Sequence, residues 1–494
     1  MSIAVRAVRG ILWQAGSSWL QVAVNLLGVA IIARWVGPES YGVMGAALLL
    51  TGLIRMLSEG ALIECVLQRA ELESGHIDAS FWTSLGVAGL GAVVLLSLAQ
   101  PLSALAGAPA AAQVLQVLAL LMPLSAASAL PLMLIDRALL FRDKAQIGAL
   151  STLLSNAVGI VAALSGLGVW SLVCMEVARV MLPHAMAWRL VSWRPGLSCT
   201  VNHFRQLRAF NQQVVATYLI GHLDSLLPRA LIANLLGPVA LGYFLLATRV
   251  FDELTRLVTG PLSGITMAII ARLQQDQAAV QRMILGLYRT ATLVALPVFA
   301  GFIAIAPVAV PMLFGDAWLP AIPAMQVLMI SALRTSTAVF NIAILRAMGR
   351  ADLPLWLLGA GVALNTALIP SLVSFGLIGV MVALIARQFL AWPLGALFVR
   401  TVSGLTMRQQ FRVTLPAASA ATVMAVTVGL WSGVAIQTHT VTQILVSSIA
   451  LGMLVYTLAI IAFAPGLLTQ AAKIARALLR RDDRGLAATL GEPA

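Results

Sequence analysis

Long apolar segments recur along the whole chain, and they restrict its fold more than any other feature. Fourteen of them are close to the roughly 20 residues that a helix needs to cross the hydrocarbon core of a bilayer. Because 60% of the residues are hydrophobic and only 10% are charged, a soluble globular fold is excluded. The sequence therefore predicts an all-α, polytopic membrane protein with about 14 transmembrane helices. The predicted spans lie near residues 10–34, 41–66, 80–100, 111–135, 146–165, 168–191, 210–235, 240–268, 286–313, 322–347, 354–374, 378–399, 414–434 and 441–464.

Arginine and lysine are distributed unevenly between alternate loops, and this distribution tests the count of spans. Counted from a cytoplasmic N-terminus, the loops on the cytoplasmic side and the two chain ends hold 23 of the 31 basic residues. The loops assigned to the outer face hold none; they are residues 101–110, 166–168, 236–239, 314–321, 375–377 and 435–440. Since basic residues are retained on the cytoplasmic side of a membrane, both termini are predicted to face the cytoplasm.

The formal net charge of +13 is compatible with nucleic-acid binding, but the positions of the charges favour another partner. The arginines are spread over short loops beside helix ends, where anionic lipid headgroups attract them. Membrane lipids are therefore expected partners, and nucleic acid is not. Cys65, Cys174 and Cys199 lie in or beside different spans with no paired spacing, so neither a disulfide framework nor a metal site is predicted. No cofactor is predicted either.

One short element occurs twice, 200 residues apart. The residues shared by the copies are Ala33, Gly37, Pro38 and Gly42 in ARWVGPESYGV, and Ala233, Gly237, Pro238 and Gly242 in ANLLGPVALGY. In both copies an apolar segment stops at the Gly-Pro, a signal that ends a helix. The offset pairs the first span with the seventh and the second with the eighth.

This pairing predicts two six-helix lobes followed by two further helices. Because six is an even number, both lobes enter the membrane from the same side, which makes the repeat a parallel one with its pseudo-axis along the membrane normal. A cavity is expected between the lobes. The predicted divisions are an N-lobe at 1–208, a C-lobe at 209–412, spans 13 and 14 at 413–464, and a cytoplasmic amphipathic tail at 465–494.

Several fragments, taken in order, resemble a known family. They are ARWVGPESYG followed by Ser58-Glu59-Gly60-Ala61, then LDSLLPRALIANLLGPVALGYF, then Leu313-Phe314-Gly315-Asp316-Ala317-Trp318, and finally Leu345-Arg346-Ala347-Met348-Gly349-Arg350. The chain resembles the polysaccharide transporter family, the Wzx-type flippases of the MATE and MurJ superfamily. The fragments span the first eleven helices.

The resemblance implies a function. Members of this family carry an undecaprenyl-diphosphate-linked oligosaccharide repeat unit across the bacterial inner membrane for exopolysaccharide or lipopolysaccharide biosynthesis. They do so by alternating access and without covalent chemistry, so the chain is expected to be a transporter and not an enzyme. A polysaccharide polymerase and its co-polymerase are the protein partners that the resemblance implies.

Ionisable residues inside the spans are the candidate site residues, because a charge at mid-bilayer costs about 2.5 kcal/mol or more unless it faces a cavity or a partner. The arginines are Arg55, Arg179, Arg229, Arg249, Arg256, Arg334 and Arg387, and the carboxylates are Glu59, Glu176, Asp224, Asp252 and Glu253. Spacings of three or four residues join Arg55 to Glu59, Glu176 to Arg179, and the members of the Arg249, Asp252, Glu253 and Arg256 group. Structural ion pairing and substrate binding are both open for these residues.

Arg334 and Arg387 have no carboxylate within a turn or two of their own helix. They are the stronger substrate-binding candidates, because a planar guanidinium gives two charge-assisted hydrogen bonds to a diphosphate and stays charged at any working pH. The alternative is that they pair with Glu176, Asp224 or another carboxylate across the cavity. Asp224 itself either pairs with Arg229 or binds a coupling ion. If transport is coupled to protons, the predicted carriers are Glu59, Glu176 and Asp224.

The sequence disfavours two other functions relative to the flippase. A MATE-type multidrug exporter usually carries organic cations, and seven intramembrane arginines against five carboxylates disfavour a cation site. A membrane polysaccharide polymerase or ligase needs a sizeable, charged outward loop, whereas the outer loops here are short and nearly uncharged. The sequence also has no paired carboxylates, metal cluster or nucleophile motif that would serve catalysis.

Overall fold

The described part of the chain is almost entirely helical. A computed structural model describes residues 3–61, 73–138, 140–196, 200–273, 276–350 and 352–463. Within these residues the chain forms helices and the turns between them, and it forms no strand. The prediction of an all-α polytopic membrane protein is confirmed.

The first eleven helices run from one end of the chain to the middle of the predicted C-lobe. They are α1 (Ile3–Arg55), a π-helix (Met56–Ala61), α2 (Ser74–Ser97), α3 (Ala99–Leu105), α4 (Ala111–Arg137), α5 (Phe141–Leu164), α6 (Val169–Leu190), α7 (Val201–Leu273), α8 (Gln277–Phe314), a 3-10 helix (Asp316–Ala321) and α9 (Ile322–Ile330). The remaining helices are α10 (Ala332–Ala347), α11 (Leu353–Leu372), a 3-10 turn (Val373–Phe375), α12 (Gly376–Ser403), α13 (Met407–Ala435) and α14 (Val441–Phe463).

Ten helices among the described residues are long and apolar enough to cross a membrane, or eleven if the bent pair Asp316–Ile330 and Ala332–Ala347 forms one more. Three of the ten are unusually long: Ser18–Gly60 has 43 residues, Leu219–Gly260 has 42 and Leu353–Ser403 has 51. Since about 20 residues of helix cover the roughly 30 Å hydrocarbon core, each of these three has the length for two crossings. Three helices with two spans each, seven single spans and the bent pair accommodate the fourteen predicted spans.

The repeated Gly-Pro element breaks α1 and α7 at equivalent positions, as predicted. Gly37 has a φ of 77° and Gly237 a φ of 82°, in the region that glycine enters without a steric penalty. Each is followed by a proline, which fits the first turn of a new helix because its missing N–H has no helical partner there. Both helices therefore stop and restart at the repeated element.

The two copies of this element also contact each other. A Cβ added to Gly42 would lie 1.7 Å from the carbonyl oxygen of Pro238, and a Cβ added to Gly242 would lie 1.9 Å from the carbonyl oxygen of Pro38. Only glycine allows backbone to approach backbone so closely. The contact is reciprocal, since each copy contributes the same two positions to it.

One compact unit comprises Met1–Val250 together with Val362–Val380. Within it α1 packs on α4, α5 and α6, while α4 also packs on α2 and α6. The π-helix lies beside α2 and α4. This unit therefore holds the end of α1 and the middle of α6, where several of the predicted charges lie.

A second compact unit comprises Phe251–Gly361 and Met381–Ala494. Helix α8 is central to it, because α9, α10, α13 and α14 all pack on α8. The hydroxyl of Tyr456 on α14 donates a hydrogen bond of 2.8 Å to the Leu293 carbonyl on α8.

The division into lobes at 1–208 and 209–412, with separate helices at 413–464, stays a prediction. Helices α13 and α14 match the predicted spans at 414–434 and 441–464. The predicted amphipathic tail at 465–494 and the end of the second predicted span lie outside the described residues.

Candidate functional site

Charges of the first unit converge where α1 meets α6. Glu176 on α6 is 3% exposed and accepts from two arginines. The Nη1 of Arg55 lies 3.2 Å from Glu176 Oε1, and the Nη2 of Arg179 lies 2.5 Å from Glu176 Oε2. Arg55 also donates from Nε to Glu59 Oε1 at 3.2 Å. The two local pairs predicted from spacing are confirmed, and the bond from Arg55 to Glu176 joins them into one network.

A π-helical turn carries Glu59 into this network. The turn Met56–Ala61 follows directly on α1, so Arg55 is the last residue of one helix type and Glu59 lies in the next. Ser84 on α2 fixes the turn, because its hydroxyl donates to the carbonyl of Ser58 at 2.5 Å. Single π-helical turns occur often at functional sites.

A third arginine contributes to the charge of the cluster. Arg249 on α7 is half-buried and belongs to the same unit as Glu176. Arg55, Arg179 and Arg249 against Glu59 and Glu176 make three positive and two negative charges, a net charge of +1. These five residues are called the charge cluster below.

The charge cluster borders a small cleft that is partly open to the surroundings and has room for about one water molecule, roughly 10 Å³. Its lining residues are Leu48, Thr51, Arg55, Leu118, Leu121, Met122, Ser125, Glu176 and Val180. Most of this lining is apolar, while Arg55 and Glu176 place a guanidinium and a carboxylate on one wall. The lining thus puts one ion pair beside apolar side chains.

Asp224 on α7 is bound by a residue that sequence reasoning missed. Asn365 on α11 is fully buried, and its Nδ2 donates to Asp224 Oδ1 at 3.0 Å. The available signal was an amide, the most polar side chain in the predicted span at 354–374. Arg229 is half-buried five residues further along α7, and its pairing with Asp224 stays a prediction.

The charges predicted on one face of the eighth span are divided between the units. Arg249 belongs to the first unit, whereas Asp252, Glu253 and Arg256 belong to the second. Glu253 is 1% exposed, and its Oε1 lies 3.4 Å from Arg256 Nη1, which confirms that local pair. The Arg256 side chain is 65% exposed, and Asp252 is exposed as well.

Arg334 on α10 and Arg387 on α12 are both half-buried and lie at one level of the second unit. The residues that follow them are bonded to each other, since the Thr335 hydroxyl donates to Gln388 Oε1 at 3.2 Å. The Arg387 guanidinium packs against Gly361 on α11, where a Cβ would lie 2.7 Å from Nη2. Glycine at 361 therefore makes room for the arginine.

Outside the spans, Arg350 and Asp352 form an exposed pair. Arg350 donates from Nε to Asp352 Oδ1 at 2.9 Å and from Nη2 to Oδ2 at 2.8 Å. These hydrogen bonds hold the pKa of Asp352 below its usual value. Among the described residues, no group of three or more histidine, cysteine, aspartate or glutamate side chains is placed to hold a metal ion.

Comparison with protein families gives one match over more than half of the chain. A sequence model described as "Polysaccharide biosynthesis protein" matches residues 31–323. The match begins in α1, before the first Gly-Pro element, and ends in α9, so it includes both copies of that element and the charge cluster.

Two relatives have names that concern polysaccharide biosynthesis. The succinoglycan biosynthesis transport protein ExoT of Rhizobium meliloti is 24% identical over 325 residues, which is 65% of each chain. The alignment therefore spans a little under two thirds of that relative. The lipopolysaccharide biosynthesis protein WzxC of Escherichia coli is 20% identical over 359 residues, or 72% of each chain.

Solved structures share the fold. The lipid II flippase MurJ, in an inward closed conformation, superposes with a TM-score of 0.73 at 13% identity, covering 93% of this chain and 100% of that one. An inward-facing MATE family multidrug resistance transporter of the MOP superfamily has a TM-score of 0.57 at 15% identity, covering 78% of this chain and 97% of its own. At such identities the likeness concerns architecture alone.

Proposed function

Because the chain belongs to the polysaccharide biosynthesis protein family, we propose that it is a flippase for an undecaprenyl-diphosphate-linked oligosaccharide repeat unit. It moves this lipid from the inner to the outer leaflet of the bacterial inner membrane by alternating access, with both of its termini in the cytoplasm. The repeat unit then serves exopolysaccharide or lipopolysaccharide biosynthesis through a polymerase and co-polymerase. The names of two relatives, a succinoglycan transport protein and a lipopolysaccharide biosynthesis protein, support this substrate class.

The charge cluster beside the apolar cleft is the observation that carries the proposal. A guanidinium has five N–H groups, and the bonds to Glu59 and Glu176 leave several of those on Arg55 and Arg179 available to phosphate oxygens. The side chains of Arg55 and Arg179 are 32% and 45% exposed, so a ligand can reach them. Glu176 holds both arginines from opposite oxygens and thereby fixes the distance between two phosphate-binding groups.

Substrate binding is also proposed for two arginines of the second unit. Arg334 and Arg387 lie at one level and are half-buried, an arrangement that suits two guanidinium groups acting on one diphosphate. Arg229 and Arg256 are the remaining members of the proposed cationic lining, with Asp252 and Glu253 as ion-pair partners.

We propose Asp224, rather than Glu59 or Glu176, as the residue that couples transport to an ion. Both glutamates are bound by arginine, and their task in the charge cluster is to position guanidinium groups. Asp224 is held by the amide of a fully buried asparagine, so a change in its charge does not dismantle an arginine pair of the charge cluster. A proton or a coupling cation at Asp224 is the proposed driving ion.

The MATE-type multidrug exporter shares the fold, so architecture does not separate the two functions. The surplus of guanidinium groups over carboxylates in the charge cluster supports the flippase, because such a surplus attracts an anion and repels an organic cation.

A deletion strain tests the proposal. It is expected to stop exporting polysaccharide and to accumulate lipid-linked repeat units that remain accessible only from the cytoplasmic side, and wild-type protein should restore export. Lipid-linked units already polymerised outside the deletion strain would overturn the flippase assignment. Drug sensitivity without loss of polysaccharide would instead favour the exporter.

A further inference from the structure

The two Gly-Pro elements contact each other through their backbones, and we infer that this contact is a latch that closes the outer side of the transporter and opens once in each transport cycle. It comprises Gly42 against the Pro238 carbonyl and Gly242 against the Pro38 carbonyl. That the latch closes the outer side, and not the cytoplasmic side, rests on the membrane topology given with the proposed function. Its existence as a moving contact does not depend on the substrate.

The chemistry of the contact suits a latch. Backbone lies against backbone with no side chain between, so the attraction consists of van der Waals contact and Cα–H to carbonyl interactions. Such interactions require close fit but are individually weak. The contact therefore shuts tightly and separates without the loss of a buried ion pair.

A third turn contacts the second copy a few residues before this contact. Gly107, with a φ of 69°, lies against the second copy, where a Cβ would be 2.4 Å from the Ala233 carbonyl oxygen. The Nδ2 of Asn234 donates to the Leu105 carbonyl at 2.6 Å. All three turns, at 35–40, 101–110 and 236–239, are predicted to lie on the outer face. Their meeting at one point supports a closure on that face.

Each copy leads along a helix toward the charge cluster. One helix runs from Gly42 to Arg55, and another runs from Gly242 to Arg249, a member of the charge cluster. At about 1.5 Å per residue the two arginines lie about 20 Å and about 10 Å beyond their latch glycines. A phosphate that binds both arginines and draws them together moves both helices, and with them the two halves of the latch.

The break in each helix supplies the place where it can turn. Gly37 and Gly237 each lie five residues before a latch glycine, and both have the positive φ that interrupts the helix. A few terminal residues of an element are enough to absorb the backbone change of a hinge. The segments after the breaks can therefore move without unwinding.

Thiol accessibility from each side of the membrane tests the latch. Leu48 lines the cleft, so Leu48→Cys reports access to it once Cys65, Cys174 and Cys199 are replaced by serine. A membrane-impermeant maleimide is applied to spheroplasts for the outer side and to inverted vesicles for the inner side. Labelling is compared between this parent, Gly42→Ala, Gly242→Ala and the control Gly89→Ala, at which a Cβ meets nothing within 4 Å.

The latch predicts that Gly42→Ala and Gly242→Ala each raise labelling from the outside several-fold and lower it from the inside, while Gly89→Ala matches the parent. Asn234→Ala provides a second variant that adds no atoms, so it is expected to fold and to shift labelling in the same direction by less. Unchanged labelling in all of these variants, or a rise from the cytoplasmic side, would overturn the latch.

The result separates the latch from the proposed function. If labelling shifts as expected but a deletion strain exports polysaccharide normally, the latch stands and the substrate assignment fails. If export requires the protein but labelling does not respond to either alanine, the function stands and the latch fails. A shift in labelling that accompanies a loss of export supports both.

Discussion

Glu176 and Glu253 make a natural comparison between the two units. Each is almost completely buried, at 3% and 1% exposure, and each pairs with the arginine three residues later on its helix. The pair in the first unit is 2.5 Å long and gains a second arginine, Arg55, from another helix. The pair in the second unit is 3.4 Å long, and its arginine is 65% exposed. Equal spacing in sequence thus gives a short pair joined by a second arginine in one unit, and a longer pair with an exposed arginine in the other.

The difference between the two glutamates shows how helix packing extends a local ion pair. Local geometry brings residues three or four apart together on any helix. Packing of a second helix then brings Arg55 to the buried carboxylate of Glu176 as a further guanidinium. In the first unit Glu176 thus positions two guanidinium groups beside a cleft, the arrangement proposed above to bind a phosphate at two points.

The largest effect is expected from Glu176→Gln, which removes the carboxylate at the centre of the network in the first unit. The change leaves Arg55 and Arg179 without the carboxylate between them, and breaking a buried pair from one side typically costs about 3–5 kcal/mol. Export should be lost and the detergent-solubilised protein should melt at a lower temperature. Glu253→Gln is the matched control and should lower the melting temperature less. Equal losses would show that the second arginine adds nothing.

Arg334→Ala and Arg387→Ala test whether the second unit binds substrate. Each change removes a guanidinium proposed to hold the diphosphate, so export should be abolished while the protein still inserts into the membrane at a normal level. Surface polysaccharide and membrane-inserted protein are measured in a complemented deletion strain. Full export by both variants would remove these arginines from the cavity lining.

Gly361→Ala tests the position of the Arg387 side chain without removing a charged group. The new Cβ would lie 2.7 Å from Arg387 Nη2, and the flexible end of the arginine would move aside. Export should fall partly while the melting temperature changes little. Gly359→Ala, on the same helix with nothing within 4 Å of its Cβ, should behave as wild type. A loss of export with Gly359→Ala alone would contradict the role given to Arg387.

The smallest effect is expected at the exposed pair of Arg350 and Asp352. Exposed ion pairs contribute little, since water already solvates both charges. The Asp352 pKa is lowered by Arg350, so any stabilisation is present above the unfolded-state pKa of aspartate and is lost as pH falls through the lower folded-state value. Melting temperatures of wild type and Asp352→Asn should nearly coincide at pH 7 and converge further in acid. A clear difference that grows in acid would contradict this.

Several features of the fold and the site could be predicted because their causes are local. Long hydrophobic spans indicate a helical membrane protein, because inside a bilayer the backbone N–H and C=O groups of a span form their hydrogen bonds within their own helix. The breaks at Gly37 and Gly237 follow from the chemistry of Gly-Pro, and the pair of Glu176 with Arg179 follows from helix geometry.

The remaining features depend on helix packing and left little trace in the sequence. Arg55 and Glu176 are 121 residues apart, and Asn365 lies 141 residues from Asp224. The π-helical turn at Met56–Ala61 was not predicted, and its fixing by Ser84 depends on a neighbouring helix. The repeated element was evident from the sequence, but the contact between its copies was not, since similarity between two segments does not say that they touch.

The reciprocity of Gly42 and Gly242 has the form of an isologous interface, in which residue i meets residue j and residue j meets residue i. In a symmetric homodimer, one codon would determine both halves of such an interface. Here such an interface lies within one chain, and its two halves are encoded separately, 200 residues apart. A side chain at either glycine would obstruct the proline carbonyl of the other copy, so each copy constrains what the other can become.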